Sequence, residues 1–303
     1  MPRLTRRAAC RGLTAALAAP LAAPLVTRRA RAEADAVRAL AVIEARLGGR
    51  LGVAVGGEGG PLLAHRADER FPLCSTFKAL AAAAVLARVD EGADSLDRAI
   101  PYGAADLLDY APVARKLMAG DGGAGRMSLG EACAAALVWS DNTAGNLLLA
   151  ALGGPPVLTA WLRVLGDPLT RLDRIEPDLN TAIPGDPRDT TTPDAMRATL
   201  ARILLGPALS PASRGRLEAW MVVAQTGLRR LRAGLPPDWT VGDKTGTGDN
   251  GTANVVAILR PPGRAPVVAG VYLTGTAAPA AERDAAHAEV GRLVATAIAA
   301  RGG

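Results

Sequence analysis

Lysine is nearly absent from this chain: of 35 basic residues only Lys78, Lys116 and Lys244 are lysine, and the remainder are arginine. Histidine is scarcer still, with His65 and His287 alone, and aromatic residues make up 3% of the sequence. Neither histidine stands near any motif described below, which excludes a Ser-His-Asp triad and a histidine-built zinc site; both are read as structural or solvated. Cysteine is too rare for a disulfide framework: Cys10, Cys74 and Cys133 are the complete set. No glycine-rich phosphate loop or dinucleotide fingerprint occurs, so no cofactor and no metal are expected. Beyond the N-terminal segment, no apolar run is long and uninterrupted enough to make a membrane helix.

What is present is a globular composition, 49% hydrophobic and 21% charged over 303 residues, enough for a large core or two interlocked ones. The formal net charge of +6 is misleading. Residues 1–32 hold seven arginines and no acid, so subtracting them leaves the rest of the chain at −1, and a nucleic-acid partner loses its support. That segment has a basic start, an apolar stretch from Leu13 to Val26 and the small residues Ala30 and Ala32, as in a cleaved signal peptide. The mature chain is then expected to begin near Glu33, exported to the periplasm or beyond and without a membrane attachment. Arg6 and Arg7 behind Thr5 fit a twin-arginine signal, with the general secretory route as the alternative. Cys10 leaves with the leader. Cys74 and Cys133 are expected to be free thiols, and no extra interface element argues against a monomer.

Residues 33–47 recur with helical period, and LGVAV and PLLAH read as strands about the turn GGEGG. From about residue 75 to 225 the pattern is helical, with Ser, Thr or Asp at many helix starts and Gly at the ends. After Trp239 the runs WTVGDKTG, TANVVAILR and APVVAGVYLTG are strands, and a helix closes the chain over Ala281 to Ala299. The expected fold is α/β: an antiparallel sheet built from both chain ends (33–70 and 222–303) and covered by the terminal helices, with an all-helical domain (71–221) inserted. A cleft where the two meet is the natural site. Residues 166–193, charged and with five prolines, read as a long ordered loop.

With so little lysine, its position matters. Lys78 follows Ser75 by three residues at a predicted helix start, which places the amine on the same face as the hydroxyl. A buried amine beside a second cation can exchange a proton with that hydroxyl near neutral pH, and a guanidinium cannot. Ser140-Asp141-Asn142 offers a hydroxyl and a carboxamide between two helices. Lys244-Thr245-Gly246-Thr247-Gly248 starts a strand whose alternation puts both threonine hydroxyls on one face. Taken singly, each has an ordinary reading as a helix start, a cap or an edge strand.

In this order, S-x-x-K, S-D-N and K-T-G make up the penicilloyl-serine transferase signature, and the chain closely resembles the class A serine β-lactamases. Glu176-Pro177-Asp178-Leu179-Asn180 is similar to that family's E-x-x-L-N element, in which Glu and Asn hold the hydrolytic water. Arg174 and Asp189 match the pair at the neck of its loop, and Tyr110 matches an aromatic beside its cleft. The resemblance implies that Ser75 is the nucleophile, with Lys78 and Glu176 as alternative bases for its activation. It implies that the N–H groups of Ser75 and Thr247 bind the oxyanion, that Ser140 protonates the leaving nitrogen, and that Asn142 holds the substrate's side-chain amide. Lys244, Thr245, Gly246 and Thr247 would form the carboxylate subsite. The implied substrate is a small-molecule β-lactam, penicillin or cephalosporin, and the implied consequence is resistance to such antibiotics.

Two departures matter. Ala253 stands where many members carry a carboxylate-binding arginine, and Arg230 matches an alternative source of it. Cys74 resembles one half of the disulfide of carbapenem-hydrolysing members, but Gly248 occupies the partner's place, and Ala82 stands where some relatives pair a cysteine with the equivalent of Cys133. Asp109 and Asp249 are expected beside the cleft. The competing readings are a peptidoglycan D-alanyl-D-alanine carboxypeptidase or transpeptidase, which shares the three motifs but lacks the deacylating Glu176, and a non-catalytic β-lactam sensor.

Overall fold

Strands from both ends of the chain meet in one antiparallel sheet. The computed structural model describes residues 23–57, 60–120 and 123–300, so most of the expected leader and part of the GGEGG turn lie outside the described residues. The chain opens with helix α1 (Ala23–Leu47), the hairpin β1 (Arg50–Gly57) and β2 (Gly60–His65), and the short β3 (Phe71–Pro72). Then follow α2 (Phe77–Asp90), β4 (Ala99–Tyr102), α3 (Pro112–Gly120), β5 (Gly125–Ser128), α4 (Leu129–Val138), α5 (Asn142–Leu152) and α6 (Pro155–Val164). A long loop carrying β6 (Thr190–Thr191) leads to α7 (Pro193–Leu204) and α8 (Pro211–Val222). The chain ends with β7 (Thr240–Gly248), β8 (Thr252–Arg260), β9 (Val267–Thr274) and α9 (Ala280–Ala299).

The main sheet runs β2-β1-β9-β8-β7. Its join is the β1–β9 ladder, from Arg50 opposite Thr274 to Gly56 opposite Val268. Alternate residues of β8 and β9 serve two cores. Val255, Ala257, Leu259, Val271 and Leu273 pack with α1 and α9, whereas Val256, Ile258, Val268 and Tyr272 pack with the helices of the middle segment. Burial on both faces explains why these strands read as nearly unbroken apolar runs.

The expectation that the middle segment is all-helical needs correction. β4 pairs with β5, and β3 with β6, in two small antiparallel ladders. Helix α3 was not foreseen either. The second correction concerns packing: α7 lies on β1 and β9, and α8 on β7, so the sheet is covered on the face opposite the terminal helices as well. Four-residue strands and a nine-residue helix carry too little periodicity to stand out, and which helix covers which sheet face is a tertiary matter.

Helix α2 is central. Every residue from Phe77 to Ala87 is buried, and a helix apolar all round belongs in a core. Asp141 ends one stretch and begins two: its carboxylate accepts from Ala144 N at 2.8 Å to cap α5, and from Val113 N and Ala114 N at 2.9 and 3.0 Å at the start of α3. Among the described residues no single helix is long and apolar enough to cross a membrane.

Candidate active site

Ser75 sits on a 3-10 turn, Cys74–Thr76, that runs directly into α2. This is a tighter entry than the α-helical first turn expected, and Cys74 takes a left-handed φ of 45° to make it. The turn is held from two sides: Leu73 N donates to Asp189 O at 2.8 Å, and Asn254 Nδ2 donates to Pro72 O at 2.8 Å. Three residues on, Lys78 faces the same way, and its Nζ donates to Ser75 Oγ at 2.9 Å. The same ammonium donates to Ser140 O at 2.9 Å and Asn142 Oδ1 at 2.6 Å, and lies 2.9 Å from Glu176 Oε1. Burial draws the Lys78 amine below its ordinary range, and the Glu176 carboxylate opposes the shift.

Glu176 reaches this centre from the long loop. Ser75 Oγ donates to its Oε1 at 2.9 Å, and Asn180 Nδ2 donates to its Oε2. Asn180 Oδ1 is buried and has no hydrogen-bond partner. Asn146 clamps the loop at the same residue, with Nδ2 donating to Glu176 O and Oδ1 accepting from Glu176 N, both at 2.9 Å. Sequence reasoning missed Asn146, although a polar residue four positions after Asn142, in an otherwise apolar helix, shares its face. The loop neck is closed as expected by Arg174 and Asp189, Nε to Oδ2 at 2.6 Å. Asp189 Oδ1 also accepts from Asp173 N and Arg174 N at 2.7 and 2.9 Å.

On the opposite side, β7 is the edge strand of the sheet. Lys244 Nζ donates to Ser140 Oγ at 2.8 Å and to Thr245 O at 2.7 Å. Burial, reinforced by the Lys78 ammonium, holds this amine well below its ordinary value. Ser140 adopts φ 59°, which aims its hydroxyl across the bend between α4 and α5. Gly246 lets β7 approach the Ser75 turn: a Cβ there would lie 2.9 Å from Leu73 O and 3.2 Å from Cys74 Cβ.

A cavity of about 330 Å³ opens over these groups, lined by Ser75, Ser140, Asn142, Thr245 and Thr247, with Tyr110, Thr226 and Arg230 at its sides. Asn142 N donates to Tyr110 O at 2.9 Å, which sets the half-exposed tyrosine beside the carboxamide. Asp109 and Asp249, expected beside the cleft, do not line this cavity. Thr226 was not foreseen; its Oγ1 lies 2.6 Å from Thr245 Oγ1. It belongs to a loop without periodicity, and no signal in the sequence marks it.

Arg230 comes in from the segment before β7 and is largely buried. Its Nη2 donates to Thr247 Oγ1 at 2.8 Å, its Nη1 to Gly246 O and Asn254 O at 2.9 and 3.0 Å, and its Nε to Asp284 Oδ1 at 2.9 Å. Ala253, the residue opposite Thr247 on β8, is buried.

Cys74 and Cys133 are free and buried, and burial raises both thiols far above their ordinary range. A Cβ on Gly248 would lie 2.7 Å from Cys74 Sγ and 2.5 Å from Asn180 O, so that position holds strand and loop together only as glycine. His65 contacts Glu44 at 2.5 Å, and His287 Nδ1 lies 2.8 Å from Arg283 O inside α9; neither reaches the cleft. No group of three or more His, Cys, Asp and Glu able to hold a metal occurs among the described residues.

Comparison with known proteins agrees with this geometry. The family profile described as Beta-lactamase enzyme family matches residues 34–298. Beta-lactamase AST-1 of Nocardia asteroides is 47% identical over 293 residues, 96% of this chain and 93% of that protein. Beta-lactamase CTX-M-8 of Citrobacter amalonaticus is 48% identical over 241 residues, 79% of this chain and 81% of its own. An ancestral (GNCA) class A β-lactamase structure superimposes with a TM-score of 0.82 at 62% identity, covering 86% of this chain and 98% of that one. With the family profile over residues 34–298 and a fold shared this closely, the serine bonded to a buried lysine and a loop glutamate has one assignment: the chain belongs to the β-lactamase enzyme family, within class A.

Proposed function

We propose that the protein hydrolyses the lactam amide of penicillins and cephalosporins in two steps, through an ester on Ser75 and its release by water that Glu176 activates. The observation that carries this reading is the position of Glu176 Oε1, which accepts from Ser75 Oγ at 2.9 Å and lies 2.9 Å from Lys78 Nζ. Every other partner of Lys78 Nζ is an oxygen acceptor, an arrangement suited to an ammonium, so Glu176 takes the serine proton.

In acylation, Ser75 Oγ attacks the carbonyl carbon while the N–H groups of Ser75 and Thr247 receive the developing oxyanion. The first N–H groups of a helix have no intrahelical acceptor, and β7 is an edge strand, so both donors are of a kind available to substrate. The carbon–nitrogen bond breaks, and Ser140 Oγ gives its proton to the ring nitrogen. Overall one proton moves from Ser75 to that nitrogen: Glu176 collects the serine proton, Ser140 delivers its own and regains one from the Lys244 ammonium bonded to it, and the Glu176 proton returns through Lys78 and cleft solvent to Lys244, leaving Glu176 a carboxylate for the next step. In deacylation, Glu176 removes a proton from water as it attacks the ester. The unpartnered Asn180 Oδ1 beside the carboxylate suits a water held by both residues.

Asn142, with Tyr110 beside it, would hold the substrate's side-chain amide. Lys244, Thr245, Thr247 and Arg230 would bind its carboxylate, with Gly246 giving the strand room. The protein is expected to act as a monomer after export and removal of residues 1–32.

The test is purified protein with a chromogenic cephalosporin, followed by intact mass. Wild type should turn over. Glu176→Gln should accumulate an adduct of substrate mass with hydrolysis reduced by about 10²- to 10⁴-fold, and Ser75→Ala should form none. Stoichiometric acylation of wild type without turnover would favour the peptidoglycan enzyme instead.

A further inference from the structure

Three residues of the sheet form a row beneath the turn that carries Ser75. Gly246 on β7, Asn254 on β8 and Tyr272 on β9 stand opposite one another in the ladders and so share a face. Gly246 leaves room for the turn, and the Tyr272 hydroxyl lies 3.5 Å from Thr76 Oγ1. Asn254, fully buried, reaches the chain just before the serine: its Nδ2 donates to Pro72 O at 2.8 Å and to Leu73 O at 3.2 Å, while its Oδ1 accepts from Leu273 N at 3.4 Å.

A carboxamide has two N–H donors and one carbonyl. Here the donors face carbonyls and the oxygen faces an N–H, so the side chain seats one way round. A carboxylate would bring acceptors against two carbonyls, and a leucine would leave them unpaired. Asn254 is also the one polar side chain in the run from Ala253 to Leu259, where a buried amide is unfavourable unless its partners require it.

The feature that requires it is Cys74. Its φ of 45° is left-handed, a conformation that a residue with a side chain keeps only when its surroundings impose it. Asn254 fixes the two carbonyls before this bend, and Thr76 Oγ1 closes it from the far side by donating to Leu73 O at 2.7 Å. The bend delivers Ser75 Oγ to a point 2.9 Å from both Lys78 Nζ and Glu176 Oε1. Asn254 itself stands behind the turn and does not line the cavity.

We propose that Asn254 is a positioning residue for acylation: its carboxamide pins the Pro72 and Leu73 carbonyls to the sheet and so holds the left-handed Cys74 that aims Ser75. This rests on the acylation of Ser75 proposed above.

The experiment is stopped-flow kinetics with a chromogenic cephalosporin, which separates the binding constant, the acylation rate and the deacylation rate, for wild type, Asn254→Asp, Asn254→Ser and Ile258→Val. Above neutral pH, Asn254→Asp should lower the acylation rate roughly ten- to a hundred-fold, deacylation less, and leave the binding constant in place. As pH falls from about 9 to about 6, the introduced carboxyl takes up a proton and regains a donor for Pro72 O, so the ratio of variant to wild-type acylation should rise. Asn254→Ser, which loses the reach without adding a charge, should acylate slowly with no such trend; it carries the comparison if Asn254→Asp does not fold. Ile258→Val, on the same face of β8 but away from the turn, should lower the melting temperature and keep the acylation rate. Acylation within twofold of wild type in the folded Asn254 variants overturns the proposal. So does a loss that falls on binding, or equally on both chemical steps, or that Ile258→Val reproduces. In each of these cases hydrolysis by wild type still stands. If wild type forms no adduct on Ser75, the functional reading itself is wrong and this one goes with it.

Discussion

The two walls of the cleft carry comparable chemistry on unlike supports. Strand β7 presents Lys244, Thr245 and Thr247 from a nine-residue ladder with β8, unbroken from Thr240 opposite Arg260 to Gly248 opposite Thr252. The glutamate loop has a two-residue ladder, Phe71 opposite Thr191 and Pro72 opposite Thr190. Beyond that ladder and a few backbone bonds, such as Arg171 N to Thr190 O at 3.0 Å and Asp249 N to Asn180 O at 2.9 Å, its order rests on side chains: Asn146 on Glu176, Arg174 on Asp189, and Asp189 on the loop's own backbone. A ladder distributes its support over many equivalent bonds, whereas a few side-chain ties concentrate it. Single substitutions should therefore damage the loop wall more than the strand wall, and should damage a different step.

The largest effect is expected at the loop neck. Asp189→Asn removes the charge that Arg174 pairs with at a site 1% exposed, and displacement of Glu176 by about 1 Å can cost on the order of 10²-fold in rate. Rapid-quench kinetics should show deacylation falling by that amount while acylation falls less; equal losses in both steps would mean the loop does not act separately. Next comes the strand wall. Lys244→Ala removes a buried donor from Ser140 and from the carboxylate subsite proposed above, and steady-state kinetics should show KM for acidic substrates rising roughly ten- to a hundred-fold. The ladder should keep the variant folded, with a melting curve close to wild type.

The smallest effect lies behind the strand wall, at His287. Burial lowers its pKa from 6.5 to about 4, so the folded protein holds it neutral while the unfolded chain can protonate it. The stability it contributes is complete above pH 6.5 and is lost as pH falls through about 4. Melting temperature should decline across that window, and His287→Asn should flatten the slope without altering turnover at neutral pH.

Much of this was legible in the sequence because chemistry and packing coincided. Ser75 and Lys78 share a face by helical spacing, Thr245 and Thr247 by strand alternation, and β8 and β9 read as strands from their apolar, β-branched runs. The expected cysteine state also held. What escaped depends on partners brought from elsewhere. Thr226 matters only because its loop is tied to the end of α4, where Gln225 N donates to Val138 O at 2.9 Å, and so meets Thr245 of β7, Oγ1 to Oγ1 at 2.6 Å. Asp109 and Asp249 adjoin residues of the cleft in sequence, but neighbours in sequence need not face one cavity. The coverage of the sheet by α7 and α8 likewise follows from the path of the loop before them, which no local pattern records.

Pairing Arg50 with Thr274 has a consequence for biogenesis. A ribosome that has made β1 must still deliver more than two hundred residues before that strand finds its neighbour on the sheet's interior side. Until then the hairpin has no lasting place, and the wall bearing Lys244 has not been synthesised. The nascent polypeptide therefore lacks three of its five main strands until the segment beginning at Thr240 has been made, and the sheet closes only near the end of the 303-residue chain.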